Sequence, residues 1–535
     1  MRFRLAAAAL GVVLSLPGFP AYAFEGPLFR VRPEGTWNWK AGGTKPALAV
    51  ISLDRQHHTV AQAQQDRRAD PPTSPGRGQT PPTAPGVTPP PAPGFAPSNW
   101  GSVFKWFEER VQLVRFNVEG VFTASEFQTG SNAGPQEGGR FSGVIAPGIR
   151  LAEDSALVFV YNASYNRDLQ VFREDEGPRR RSEEQRHEFI ALLSQDFVKP
   201  LGISFINRLT LSPSVFQTYA FTRQTASEEW RNGIPLGGVQ KFKGLYDYWD
   251  RGAGIEVKLL HEREGERKHT LSASVQSYLR HYRNFTSLAR QLDPASPEPK
   301  FEKDYVGVLT RAAYEFQAPG GTSLRLGYSQ LNRYFTEDRA RIDPLVEAGV
   351  PGERRRDITD TVEGRMTYGI PLVKGLVVGL GGSWSNNRST SGFNDTLSPL
   401  PAAGVFSEHY YDYWSFRLDP DLAYTQELDL QLFGLPIKGI LTLSFSYSYD
   451  RRAYRDREAK DKDGGFRDAG LGGKDANEAD VTHTFAPRIV YQFRKNWALL
   501  LEAKKNRVRS NFQDERVYRY NYDINSLGLG LQYRF

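Results

Sequence analysis

From about Gln112 to the C-terminus, apolar and polar residues alternate one by one along stretches of ten residues and more. In 439–450, Leu441, Leu443, Phe445, Tyr447 and Tyr449 interleave with Thr442, Ser444, Ser446, Ser448 and Asp450, and in 268–280, Leu271, Ala273, Val275 and Leu279 interleave with Ser272, Ser274, Gln276 and Arg280. Side chains on a strand point to opposite faces in turn, so each stretch predicts a strand with one apolar and one polar face. The predicted strands are 112–128, 140–153, 155–172, 185–199, 202–221, 246–261, 268–285, 304–318, 322–337, 357–371, 376–390, 412–429, 439–455, 480–494, 497–514 and 520–535. The connections alternate short and long. Tight turns are expected at Glu153-Asp154-Ser155, Pro200-Leu201, Glu262 to Arg267, Pro319-Gly320-Gly321, Leu372 to Gly375 and Lys495-Asn496, with Leu430 to Lys438 the longest on that side. A soluble sandwich also alternates, but its strands are usually shorter. The rhythm predicts an all-β fold: a transmembrane up-and-down antiparallel β-barrel of about 16 strands over 112–535, with tight turns on the periplasmic side and longer loops outside.

The chain before 112 is different. Arg2 and Arg4 precede LAAAALGVVLSLPGF and then Ala21-Tyr22-Ala23, which predicts a signal peptide over 1–23 cleaved before Phe24. Residues 24–65 form a periplasmic N-terminal segment whose one apolar patch is Pro46 to Leu53 (PALAVISL). Residues 66–98 form a Pro-rich linker: 66–97 hold 11 of the 34 prolines, so this stretch is expected to be a flexible solvated spacer. Its two readings are a tether and a docking strand for a periplasmic partner. In 99–111, Trp100, Phe104, Phe107 and Val111 recur at the spacing of an amphipathic helix, and the segment reads equally as the frayed start of the first strand. No later apolar stretch is long enough for a membrane-spanning helix, and the remaining structure able to satisfy its backbone in lipid is a closed barrel.

Composition agrees. The 535 residues include 33 Phe, 25 Tyr and 50 Gly but only 2 Met, and the mean hydropathy of −0.51 suits a barrel that averages lipid-facing with water-facing residues. Cysteine is absent, which excludes disulfides, thiolate nucleophiles and Cys-based metal sites. The net charge of +7 is spread along the chain rather than gathered in a basic stripe, which argues against nucleic acid.

The last ten residues, SLGLGLQYRF, place Leu527, Leu529, Leu531, Tyr533 and Phe535 on one face. This ending resembles the C-terminal strand of Gram-negative outer-membrane β-barrel proteins, and the pattern over 112–535 resembles them more diffusely. The resemblance implies a porin-like barrel integral to the outer membrane, in contact with its lipid and lipopolysaccharide, whose last strand is the signal read by the barrel-assembly machinery.

If the more apolar face of each strand meets lipid, the lumen receives Arg115, Arg150, Arg208, Lys258, Arg280, Arg325, Arg365, Arg417, Arg488 and Arg494, with Glu119, Glu256, Glu363, Asp419 and Asp421. Such a wall leans positive and has two readings: it concentrates anions, or its charges only hydrate it and pair with one another. Trp384, Trp414 and Trp497 suit interfacial girdles. The loop 222–245 carries Glu228 and Glu229 and is a candidate constriction loop. The acidic stretch 460–480 lacks the spacing of a calcium loop and reads as a solvated loop. The eight histidines, His57, His58, His187, His261, His269, His281, His409 and His483, form no catalytic signature. The expectation is a non-enzymatic protein with no cofactor or metal. Its first reading is a diffusion channel for small hydrophilic solutes, leaning toward anions. The alternative is an export or assembly component that passes polysaccharide or protein through the barrel with a periplasmic partner.

Overall fold

A computed structural model describes residues 111–129, 132–168, 181–198, 200, 206–225, 230–231, 234–235, 241–243, 247–263, 267–283, 285, 303–318, 322–340, 353–396, 404–432, 435–460, 477–513 and 521–534. Sixteen long strands follow one another: β1 (Val111–Thr129), β2 (Asn132–Ala152), β3 (Ser155–Asp168), β4 (Arg181–Val198), β5 (Arg208–Thr225), β6 (Tyr248–Arg263), β7 (Arg267–Tyr282), β8 (Tyr305–Gln317), β9 (Ser323–Arg339), β10 (Arg354–Gly369), β11 (Leu376–Ser389), β12 (Tyr413–Leu432), β13 (Leu435–Glu458), β14 (Asn477–Arg494), β15 (Trp497–Ser510) and β16 (Tyr522–Arg534). Each pairs antiparallel with the next, and β1 pairs with β16 from Asn117↔Arg534 to Gln128↔Asp523, which closes the ring. Closure leaves no unpaired edge, the condition for spanning a membrane with strands. Short strands decorate the loops: 241–243 pairs with the end of β5, 230–231 with 234–235, and 393–396 with 404–407.

The burial pattern is inverted relative to a soluble protein. Phe122, Leu529, Leu527, Leu380 and Leu271 point outward and are exposed, while on the opposite face Glu119, Glu188, Asp250 and Gln532 are buried. The outer belt is apolar because lipid is its solvent; the inner face carries the polar groups. Trp497 stacks edge-on against Tyr533 at the turn end of the wall, and Trp384 lies on the outer face toward the loop end.

Several boundaries differ from the sequence reading. β2 begins at Asn132 rather than 140, because backbone pairing from Thr129↔Asn132 onward carries the ladder through Gly134, Pro135, Gly138 and Gly139 despite their poor strand propensity. β5 runs from Arg208, and the expected turn at Leu201 and the strand start at 202 lie outside the described residues. The connection expected to be longest on the turn side shrinks, since Leu432 pairs with Leu435 and the strands continue through most of Leu430 to Lys438. Val111 belongs to β1 and not to a helix. The signal peptide, the segment 24–65, the linker 66–98, residues 99–110, Glu228, Glu229 and Phe535 lie outside the described residues. Among the described residues no helix is long and apolar enough to cross a membrane.

Candidate functional site: the inner wall of the barrel

The register decides which residues share the inner wall. Starting from Glu119, opposite Ser142 on β2 and Gln532 on β16, cross-strand partners place Arg115, Arg150, Arg208, Lys258, Glu256, Arg280, Arg325, Glu363, Arg365, Arg417, Asp419, Asp421 and Arg488 on one continuous face. Arg494 sits at the last pair of β14, opposite Trp497 beyond a register shift, at the rim of the turn side. Arg115 follows a bulge in β1, where the extra residue Val114 turns outward and the alternation resumes with Arg115 opposite Ala146.

Three neighbourhoods emerge on this wall. The first lies across the closing seam. Glu119 accepts from Arg140 (3.2 Å), Arg488 (3.1 Å) and Gln532 (2.9 Å), and Arg140 forks onto Glu502, with its second nitrogen at 2.6 Å. Arg534, opposite Asn117, and Arg115, two positions along the same face, extend the cluster toward the turn end. Four arginines here face two carboxylates, so the seam wall is positive. Arg140, Glu502 and Gln532 escaped the sequence reading. Glu502 ends WALLLE, whose two apolar faces hide which side is inner; its one signal was its place four residues from Ala498 on an alternating strand.

The second neighbourhood is a ladder of opposite charges on β8 to β12. Arg325 bridges Glu315 and Glu363 (3.3 Å each), Arg365 donates to Asp421 at 2.6 Å and Arg417 to Asp419 at 2.8 Å. These side chains keep access to water: Glu315 is 33%, Glu363 31% and Asp421 25% exposed.

The third is a collar of stacked arginines at the loop end. Arg280 clamps Asp250 (2.8 and 2.9 Å) with its guanidinium 3.8 Å from the Tyr248 ring. Arg355 holds Asp357 (3.0 and 2.9 Å) between Phe335 and Tyr411, and Arg457 holds Glu478 (2.8 Å) beside Tyr410 and Tyr454. Planar forks that chelate carboxylates and stack on rings are held rigidly, so the collar fixes the shape of the mouth. Tyr411 and Asp412 anchor the segment before β12: Asn387 donates to the Tyr411 carbonyl (2.8 Å), and the Ser389 amide donates to Asp412 (2.6 Å).

Histidines serve the outer face. His187, His269 and His483 each hydrogen-bond a tyrosine hydroxyl across a strand pair, Tyr161, Tyr314 and Tyr447. Among the described residues no three His, Asp or Glu side chains are placed to hold a metal ion.

A closed ring of sixteen antiparallel strands, apolar outside and charged inside, decides the class. The chain is an outer-membrane-type β-barrel. No protein-family model matches it, and no curated protein does. Solved structures align over most of its length: OmpT of Vibrio cholerae at 9% identity (80% of this chain, 100% of that one, TM-score 0.33), OccK8 (OprE) of Pseudomonas aeruginosa at 8% (79% and 98%, TM-score 0.33), and a bacterial polysaccharide outer membrane secretin at 8% (78% and 98%, TM-score 0.33). Likeness at such scores carries no weight of its own, and the class rests on the pairing and the two faces.

Proposed function

We propose that the barrel is a channel through which small hydrophilic solutes diffuse across the outer membrane, with a preference for anions. One observation carries this reading: a sixteen-strand ring is too wide for its own side chains to fill, and its inner wall on β8 to β12 carries charges that remain open to water. The anion preference rests on the seam, where Arg115, Arg140, Arg488 and Arg534 outnumber Glu119 and Glu502. The ladder contributes less, because its three arginines and four carboxylates nearly cancel. In this reading both barrel termini face the periplasm, residues 24–98 extend there, and the strand ending at Phe535 is presented to the assembly machinery.

An export role has support from the length of the arm at 24–98 and its 11 prolines between 66 and 97. The test is conductance of the refolded protein in a planar bilayer, with reversal potential measured in a salt gradient. Steady openings with anion selectivity, retained after deletion of 24–98, support the diffusion channel. A barrel that stays closed until a periplasmic partner is added would replace it with the export reading.

A further inference from the structure

The inner wall is not covered evenly. On β11 and β13 its residues Ser383, Ser385, Thr442 and Ser444 are half-buried and Ser446 is exposed, as expected where a wide lumen holds water. On the arc from β15 through the seam to β3 the same face is buried. Leu500, Gly530, Val121 and Arg140 follow one another across that arc in register, and Leu500 and Val121 are both buried. Val158 and Val160, which face the lumen from β3 opposite Leu192 and Ile190, are each 3% exposed, whereas Val275 and Val362 on the lipid face are 46% and 51% exposed.

The wall neighbours of these valines are too small to bury them. Val158 stands between Gly148 and Leu192 across the strands, with Ala156 and Val160 beside it on its own face. Side chains this short leave room for a second layer, and an apolar face inside an aqueous channel is unfavourable until something apolar lies on it. The wall sets three requirements for that layer. It is apolar toward Val158, Val160 and Leu500. It carries negative charge, because the four arginines and two carboxylates of the seam cluster leave a positive surplus. It enters from the turn end, since the buried Ala156, Ala498 and Gln532 lie close to the ends of their strands there.

The stretch immediately before β1 meets all three. Trp100, Val103, Phe104 and Phe107 recur at helical spacing, Glu108 borders that face and Glu109 follows it, and Arg110 leads straight into β1 at the turn end. As a helix, 99–110 would be about 18 Å long, close to the four strand spacings of about 4.8 Å that separate β15 from β3. The connection between β5 and β6, by contrast, leaves the wall at the opposite end. We propose that residues 99–110 fold back into the turn-end mouth as an amphipathic helix and lie along the inner wall from β15 to β3, with the aromatic face on Val158, Val160 and Leu500 and Glu108 beside the seam arginines. The helix narrows the mouth on its positive side and leaves the lumen open along β8 to β13. The inference needs only the closed barrel and holds whatever the lumen conducts.

The chain has no cysteine, so single introduced thiols report without background. Val158→Cys on the covered arc and Ser446→Cys on the open wall are placed separately in the full chain, refolded into lipid vesicles and reacted with a small uncharged maleimide. Thiol reactivity follows exposure, so Val158→Cys is expected to react about tenfold more slowly than Ser446→Cys. Adding F104S/F107S is expected to raise the rate at Val158→Cys about tenfold and to leave Ser446→Cys unchanged. Equal rates at the two positions in the otherwise unaltered chain overturn the covering layer itself. Slow reaction at Val158→Cys that persists in F104S/F107S overturns its assignment to 99–110. Should Val158→Cys or the double variant fail to fold, Ala156→Cys and F104S alone carry the same comparison. Failure of the unaltered chain to give a folded barrel in vesicles would instead overturn the membrane reading.

Discussion

Glu119 is 3% exposed and stands at the centre of the seam, with Arg140, Arg488 and Gln532 donating to it. Removing one member of a buried ionic cluster leaves its partners desolvated and unpaired, at a cost of about 3 kcal/mol. Glu119→Gln is therefore expected to destabilise the barrel by about that amount in urea unfolding from lipid vesicles, and to shift the reversal potential further toward anions. Asp412, at the base of the loop before β12, provides a pH test. Its burial raises its carboxyl above the ordinary range, opposed by the Ser389 amide, His409 and Arg455 and reinforced by Asp357. Because the folded state holds the proton more tightly, the contribution to stability is full below the ordinary carboxylate range and is lost as pH rises through the raised value. Hydrogen exchange of 404–412, corrected for intrinsic rates, should be slower at pH 4 than at pH 7, and Asp412→Asn should remove the difference. At this scale the sequence was informative where strict alternation identified a face, as at Glu119 and Arg417. It was silent about the aromatic rings brought in from elsewhere in the chain: nothing in the sequence signals that the Arg280–Asp250, Arg355–Asp357 and Arg457–Glu478 pairs would be stacked against Tyr248, Phe335, Tyr410, Tyr411 and Tyr454.

β16 shows how an element's sequence answers to both neighbours. Its outer face, Leu527, Leu529 and Leu531, meets lipid, while Gly528 and Gly530 lie on the inner face. A Cβ at Gly530 would stand 2.5 Å from the Gly120 carbonyl and 2.8 Å from Val121, so the closing pair needs glycine there for close approach. Gly530→Val should hinder pairing of β16 with β1, which would be visible as loss of the compact, heat-modifiable band in gel electrophoresis. Leu529→Arg, by contrast, puts a charge into lipid and should cost about 2–4 kcal/mol if it sits near the midplane, measured by the same urea titration. Element number and direction were legible because the two-residue period persists through all sixteen strands. The ends were less so, since Gly and Pro punctuate at 134–139 and Pro at 436, where tertiary pairing overrides local preference. The turn at Leu372 to Gly375 was readable for a physical reason: Gly375 adopts φ +87°, a conformation that favours glycine.

On the scale of the whole molecule, the inner wall divides into a positive seam, a nearly neutral ladder and a rigid collar, and the outer wall carries the apolar belt. Selectivity should therefore follow the seam more than the ladder. Arg365→Gln, which removes a ladder cation and leaves Asp421 facing the lumen, is expected to move the reversal potential less than a seam change such as Arg534→Gln. The seam has a further consequence, for the order of events in folding. Its two long-range ion pairs join residues 362 (Arg140 with Glu502) and 369 (Arg488 with Glu119) apart along the chain, and the hydrogen bond from Gln532 to Glu119 spans 413. Until the last three strands arrive, the Glu119–Arg140 pair of the first hairpin lacks Arg488, Glu502 and Gln532, so a nascent barrel that inserted strand by strand would carry the seam cluster into lipid incomplete. Such long-range closure is slow and favours an all-or-none final step. The electrostatics of the seam thus reward a chain that is held open until its C-terminus is in place, then zipped shut at once.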